Sequence, residues 1–310
     1  MMTRSQKFVA ASMTVLFGVA VYCFFAFRYP YHLHFQEQYQ LFESTWRYFT
    51  SVAASPGGLS DWTGRLMTQF FYHAPAGAAL IALLLCAVQL STAWACAHRS
   101  LAAYALGFVP AFLLLAFFCD ENALVGGAFA LLGSVCCAAA LQAVGRDGLR
   151  HLLEVVAVPL LFMACGSVAV AFVLVAAFRE AARCRAGAWP AIAAMVVLSA
   201  ACPLIASLIF PYLPGRLFLG VHYYRYHNIL PVLLWAAAFS SALVVLLSGL
   251  KVAGLPFFGK MLPGVVTFVL VAAPCTWLSL RAADASKEEW MRYDFMVRMR
   301  MWNRIMMQAD

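Results

Sequence analysis

Seven apolar runs of membrane-crossing length constrain this chain more than any other feature: they lie near residues 8–27, 75–96, 101–118, 123–144, 188–210, 229–250 and 261–280. A bilayer core of roughly 30 Å takes about 20 apolar residues, and in lipid a backbone satisfies its own polar groups only as a helix or a closed barrel. Charged residues make up 11% of the 310 and hydrophobic ones 65%, whereas soluble domains carry about 25% charged residues. A soluble globular domain is excluded. The fold class expected is all-α, a polytopic transmembrane helix bundle.

The basic start MMTRSQK and the apolar run after it have the order of a signal peptide, but no small-residue cleavage site precedes Arg28 and many apolar segments follow. The run reads as a retained first span. Residues 149–186 admit two readings. As one span they carry Arg179, Arg183 and Arg185 to the side opposite Arg146 and Arg150, against the tendency of Lys and Arg to stay cytoplasmic. As two short helices breaking at Cys165-Gly166-Ser167 they return those arginines to the first side, and the hairpin is the preferred reading. The expectation is about seven full spans plus a short helical hairpin in a bacterial inner membrane, N-terminus cytoplasmic and C-terminus outside.

On this topology Arg4, Lys7, Arg99, Arg146, Arg150, Arg179, Arg183, Arg185, Lys251 and Lys260 fall inside. The outer loops hold Arg28, Arg47, Arg65, Arg216 and Arg225, and the basic tail is the exception. The net charge of +8 thus follows the sides of a membrane, which speaks for the lipid bilayer and against nucleic acid as a partner. Ten cysteines, mostly inside apolar runs and without a CxxC pair, read as packing residues. Residues 1–280 form the transmembrane domain, including an outer loop at 28–74. Residues 281–310 form an amphipathic tail in which Trp290, Tyr293, Val297, Met301 and Ile305 recur at helical spacing. That face either lies on the membrane, docks a protein partner, or begins an outer domain.

The first outer loop is the most polar part of the chain. Phe35, Tyr39, Phe42, Trp46 and Phe49 are spaced four, three, four, three, and Gln36, Gln40, Glu43, Arg47 and Thr50 follow one position later. This spacing predicts an interfacial helix with an aromatic face in lipid or against other spans, and a Glu43–Arg47 pair. Ser55-Pro56-Gly57-Gly58 breaks it, and Ser60 or Asp61 is placed to cap a second helix through residues 62–72 with an Asp61–Arg65 pair.

On the same side lie two further groups. Asp120-Glu121 occupies a tight turn, Cys119 to Asn122, either as solvated turn residues or as a paired carboxylate site. The loop YLPGRLFLGVHYYRYHN (212–228) mixes Arg216, His222, Tyr223, Tyr224, Arg225 and His227. Arginine among aromatics at headgroup level suits a phosphate, with a plain aromatic belt as the alternative. A zinc site has little to stand on, since only His32-x-His34 has a ligand-like spacing.

A first outer loop of two interfacial helices carrying acids, followed by a short outer turn with an acidic pair, resembles the C-type polytopic glycosyltransferases. The resemblance covers the topology of roughly the first 230 residues. It implies a cavity that accepts a sugar from a polyprenyl-phosphate donor, with Glu37 or Asp61 as general base. Asp120, Glu121, Arg225 and His222 would then hold the phosphate or a divalent cation. Glu37 stands about ten residues past the first span, where the family usually places an Asp just after it. More locally, EQYQLF (37–42), PGGLSDW (56–62), RLMTQFFY (65–72) and the closing YDFMVRMRMWNRI resemble an uncharacterised family of bacterial multi-pass proteins. That family implies a helical outer region beyond the membrane part.

Three functions remain in view: a transferase, a non-catalytic scaffold for envelope partners, and a transporter. Against the last, the spans carry almost no ionisable groups; Glu154, near Arg150, is the main one, and no internal repeat is evident.

Overall fold

A computed structural model describes residues 2–40, 42–96, 100–183, 187–225, 230–249, 261–283 and 285–299. The described residues are helical throughout, with no strand. Five helical stretches are long and apolar enough to cross a bilayer: Arg4–Arg28, Ala74–Ala95, Asp147–Ala182, Ala188–Ile209 and Gly264–Arg281. Three shorter apolar helices, Leu101–Phe117, Val125–Leu141 and Val232–Ser248, are packed among them. The architecture is compatible with a multi-pass membrane protein.

In chain order the helices are α1 (Arg4–Cys23), α2 (Pro30–Tyr39), α3 (Trp46–Ala53), α4 (Gly58–Thr68), α5 (Ala74–Ala95), α6 (Leu101–Leu106), α7 (Phe108–Phe117) and α8 (Val125–Leu141). Then come α9 (Asp147–Cys165), α10 (Val170–Ala182), α11 (Ala188–Ile209), α12 (Pro214–Leu219), α13 (Val232–Gly249), α14 (Met261–Ala282) and α15 (Ala285–Arg298). Their starts follow local chemistry. Thr3 and Gln6 close a capping box on α1, and proline in the first turn opens α2, α5 and α12, where its missing N–H has no intrahelical partner to lose.

Each outer helix shows two apolar sides. On α1, Met13, Phe17, Val21 and Phe25 are buried, while Phe8, Val15, Leu16 and Val19 stay open, Phe8 at 73%. Leu208 on α11 is 86% exposed. Large apolar side chains around the helices as well as between them are compatible with a lipid surrounding.

The long stretch Asp147–Ala182 turns back on itself. In a continuous helix, residues 150 and 180 would stand about 45 Å apart at 1.5 Å per residue. Here Arg150 Nε lies 2.8 Å from Glu180 Oε1 and Arg150 Nη2 3.0 Å from Oε2. The reversal sits at Gly166, with φ +67° and ψ −154°, where the sequence analysis placed the break. Glu180 has no exposed surface, and it also accepts from Arg183 Nη1 at 2.6 Å and contacts His151 Nε2 at 3.0 Å. In a low-dielectric interior such a charge persists only when it is ringed by donors.

One end of the bundle gathers the first loop, the 118–124 turn, the hairpin tip and the 210–225 loop. His32 contacts the Phe118 carbonyl at 2.8 Å, Gly57 N–H donates to Phe162 O at 3.1 Å, and Ser60 meets His222 at 3.1 Å. Helix α15 returns to the same end. Its Lys287 pairs with Glu121 at 2.7 Å, Glu288 with Arg28 at 2.7 Å, and Phe295 stacks on His34 at 4.5 Å. The tail helix therefore has a partner in its own chain, α2. The inward residues are Met291 and Met296, not Trp290 and Tyr293, because those ion pairs set the helix's rotation. Met301 and Ile305 lie outside the described residues.

Removing the hub tests the hairpin. Glu180→Ala, which leaves Arg150 buried without its main partner, is expected to lower unfolding stability in detergent by about 3–5 kcal/mol. The charge-swapped pair Arg150→Glu with Glu180→Arg should recover part of that loss, whereas two helices running in one direction would show no coupling between these positions.

Candidate functional site

The described backbone has three residues with positive φ, namely Gly57 (+72°), Gly166 (+67°) and Val221 (+50°), and all three converge on the imidazole of His222. Gly57 caps the start of α4 in the left-handed region. A Cβ there would stand 2.6 Å from His222 Cε1 and 3.2 Å from Gly166 Cα. Gly166 at the hairpin tip occupies a conformation that only glycine adopts readily. Val221, next to the histidine, is a β-branched residue outside its normal range. Strained backbone persists where its surroundings over-determine it. Here three separate segments meet.

His222 is buried, and its Nε2 lies 3.1 Å from Ser60 Oγ, which in turn donates to the Gly57 carbonyl at 3.0 Å. A serine hydroxyl within reach of an imidazole is the pairing that activates nucleophiles in many enzymes. In this setting it also ties the start of α4 to the third loop. Tyr223 extends the tie: its hydroxyl accepts from Leu124 N–H at 2.7 Å and donates to the Asn122 carbonyl. The two neighbours His222 and Tyr223 thus hold α4 and the 118–124 turn respectively.

The acids of this end do not share one site. Asp61 is buried and pairs with Arg65 at 2.9 Å, as its i,i+4 spacing implied, and Arg65 also reaches Tyr48 Oη at 3.1 Å. Asp120 Oδ1 accepts from Asn122 N–H at 2.9 Å, closing its own turn. Glu121 belongs to Lys287. Glu37 is half-buried and makes no hydrogen bond or ion pair among the described residues. No group of three or more His, Cys, Asp or Glu side chains among the described residues is placed to hold a metal ion.

The aromatic stripe is broken. Helix α2 ends at Tyr39, Gln40 is extended, and α3 starts afresh because the Thr45 hydroxyl accepts from Tyr48 N–H at 3.2 Å. Phe35 meets Trp290 edge-on at 5.6 Å, whereas Phe42 and Phe49 pack on Trp62 at 5.6 and 5.2 Å. Trp46 is 76% exposed. Glu43 lies in the extended segment, so it forms no pair with Arg47 among the described residues. Likewise Ser60 and Asp61 sit inside the first turn of α4, and Gly57 is its cap. The side chains of Tyr39, Tyr224 and Arg225, and all of His227, lie outside the described residues.

Sequence reasoning missed the close crossing of α4 over the start of α8. A Cβ on Gly64 would stand 2.3 Å from Gly126 N, so the two backbones touch. It placed Gln36 and Gln40 in a polar stripe but missed that the stripe begins at His32 and turns inward. Gln36 Nε2 donates to Asp120 O at 3.2 Å, and Gln69 Nε2 to Gln40 O at 3.2 Å. Burial pushes His32 down to about pKa 4 from 6.5, partly opposed by its hydrogen bond to Phe118 O and by Asp120. The i,i+4,i+8 spacing of these three residues was the available signal.

Two tests follow from this geometry. Gly57→Ala faces both strain and collision, and Gly166→Ala faces strain alone; each is expected to destabilise by about 1–3 kcal/mol, Gly57→Ala more, in thermal unfolding of the detergent-solubilised chain. For His32, the unfolded state takes up a proton below pH 6.5 that the folded state refuses until about 4. Stability is therefore full above 6.5 and falls as pH drops toward 4. Wild type should lose more stability than His32→Gln between pH 7 and 5, by on the order of 2 kcal/mol; equal losses would place the acid sensitivity elsewhere.

No curated protein and no solved structure matches the chain. A family model described as a family of unknown function, DUF6057, matches residues 4–310, and the chain belongs to that family.

Proposed function

We propose that this protein is a non-catalytic integral membrane scaffold whose first-loop end serves as a docking platform for envelope partner proteins. The observation that carries the reading is that Asp61, Asp120 and Glu121 are each engaged by a different internal partner, Arg65, Asn122 N–H and Lys287. Acid–base or phosphate chemistry needs its charged groups to converge on one reacting centre. Here the Asp61 pair stays within α4 and the Asp120 contact within its own turn, while Glu121–Lys287 and Arg28–Glu288 fasten α15 onto this end of the bundle as an outer layer. That layer leaves large aromatic surface open, with Trp46 at 76% and Trp290 at 57% exposure, the residue type that anchors protein interfaces.

In this reading the protein is a multi-pass protein of the bacterial inner membrane, N-terminus cytoplasmic, with seven full spans and the hairpin α9/α10. The docking layer faces outside. The positively charged segments Arg4–Lys7, Arg146–Arg150 and Arg179–Arg183 at the other end then lie on the cytoplasmic side. The transferase reading, with a polyprenyl-phosphate donor, would draw on the Ser60–His222 pair beside Asp61. It would require Asp61 to act while held by Arg65, or Glu37 to act apart from that pair.

Photo-crosslinking separates the two. A crosslinking amino acid at position 46 or 290, in membranes of the native host, is expected to give discrete protein adducts that position 16, on the lipid side of α1, does not give. Glu37→Gln and Asp120→Asn should leave those adducts unchanged. Lipid-only adducts at 46 and 290, together with loss of sugar transfer from a polyprenyl-phosphate donor in Glu37→Gln or Asp120→Asn membranes, would reverse the assignment.

A further inference from the structure

Three acids, Asp147, Glu154 and Glu180, lie at the end of the bundle opposite the first loop. Two of them are fully answered. Glu180 holds Arg150, Arg183 and His151, and Asp147 holds Arg150 Nη2 at 2.8 Å. Glu154 differs. It is fully buried one turn beyond Arg150 on α9, and among the described residues its one hydrogen bond comes from Gln142 Nε2 to Oε1, at 2.8 Å. Among the described residues, Glu154 Oε2 and Gln142 Oε1 are both enclosed and have no hydrogen-bond partner.

Both of these atoms are acceptors. Whichever way the Gln142 amide is turned, the pair is short of one positive hydrogen or cation. The described donors on Arg150, Arg183 and His151 are committed elsewhere. Arg150 spends Nε and Nη2 on Glu180 and Asp147, and Nη1 on the Val144 carbonyl. Arg183 spends Nη1 on Glu180 and Nη2 on the Gln142 carbonyl, and His151 faces Glu180.

The surrounding elements bring little else. Helix α10 adds Arg179, α8 adds Cys136 and Cys137, and α11 adds only Cys202. On α4, which packs on the far half of α9, Asp61 and Arg65 hold each other. An isolated carboxylate at such a position is expensive, and intramembrane acids of this kind mark ion or proton sites.

We propose that Glu154 and Gln142 form a binding site for one small monovalent cation, a proton or a sodium ion, held inside the end of the α9/α10 hairpin. A proton on Oε2 would turn one of the two unpartnered acceptors into a donor; a sodium ion would draw on both oxygens. The site calls for no transport pathway and is independent of the docking layer at the other end.

A hydrophobic carbodiimide tests this, because it adds as a whole across its N=C bond to a protonated carboxyl in an apolar site. The purified full-length chain in detergent is incubated with dicyclohexylcarbodiimide between pH 5 and 9, in sodium chloride and in choline chloride, and the adduct on the Glu154 peptide is followed by mass spectrometry. The expected result is an adduct that falls about tenfold per pH unit above its titration point and is absent from Glu154→Gln. Protection by sodium at fixed pH assigns the ion; no effect of sodium assigns the proton. Gln142→Leu, which leaves the carboxyl in place, should move the pH of half-labelling by about one unit or more. No adduct on Glu154 at any pH, or one indifferent to pH, sodium and Gln142, overturns the site.

Discussion

Glu180 is a carboxylate with no exposed surface, ringed by Arg150, Arg183 and His151, and much of the architecture follows from it. In a medium where an unpaired charge is costly, its two partners on α9, Arg150 and His151, fix the ends of α9 and α10 side by side. With those ends joined, the chain must reverse between them, and Gly166 supplies the conformation that the reversal needs. The tip then reaches Gly57, whose left-handed backbone starts α4, and α4 carries Ser60 to His222. A buried ion pair at one end of the bundle thus positions a knot of strained backbone at the other.

The first-loop end is built by a different principle. Helix α4 lies directly on the start of α8, glycine to glycine, so its polar face is enclosed and not solvated. His32, Gln36 and Gln40 turn inward in the same way: His32 and Gln36 supply partners for backbone carbonyls of the 118–124 turn, and the Gln40 carbonyl accepts from the Gln69 side chain. The proposed docking role follows from what is left over after these contacts. Internal pairing uses the acids, and the aromatic rings of Trp46 and Trp290 remain on the surface.

Much of this was legible beforehand, for identifiable reasons. The helical spans follow from apolar length, the break at Cys165-Gly166-Ser167 from glycine between two apolar runs with arginines at both ends, and the Asp61–Arg65 pair from i,i+4 spacing. The aromatic stripe was misread because periodicity says nothing about where a helix stops. Thr45 restarts the helix and places Phe35 on the tail while Phe42 and Phe49 go to Trp62. Glu154 stands four residues after Arg150, a spacing that allows a pair, yet Arg150 turns to Glu180, thirty residues later in sequence. Local spacing allows a pair; competition among distant partners decides it.

The sequence by itself determined that this chain is helical and that several of its helices are long and apolar enough to cross a membrane, because apolar length acts locally and additively. Which residues meet was decided only by the tertiary structure. The knot around His222, the clasp of α15 on α2 and the solitary carboxyl of Glu154 each depend on side chains brought together across separate segments, and no periodicity within one segment encodes such a meeting.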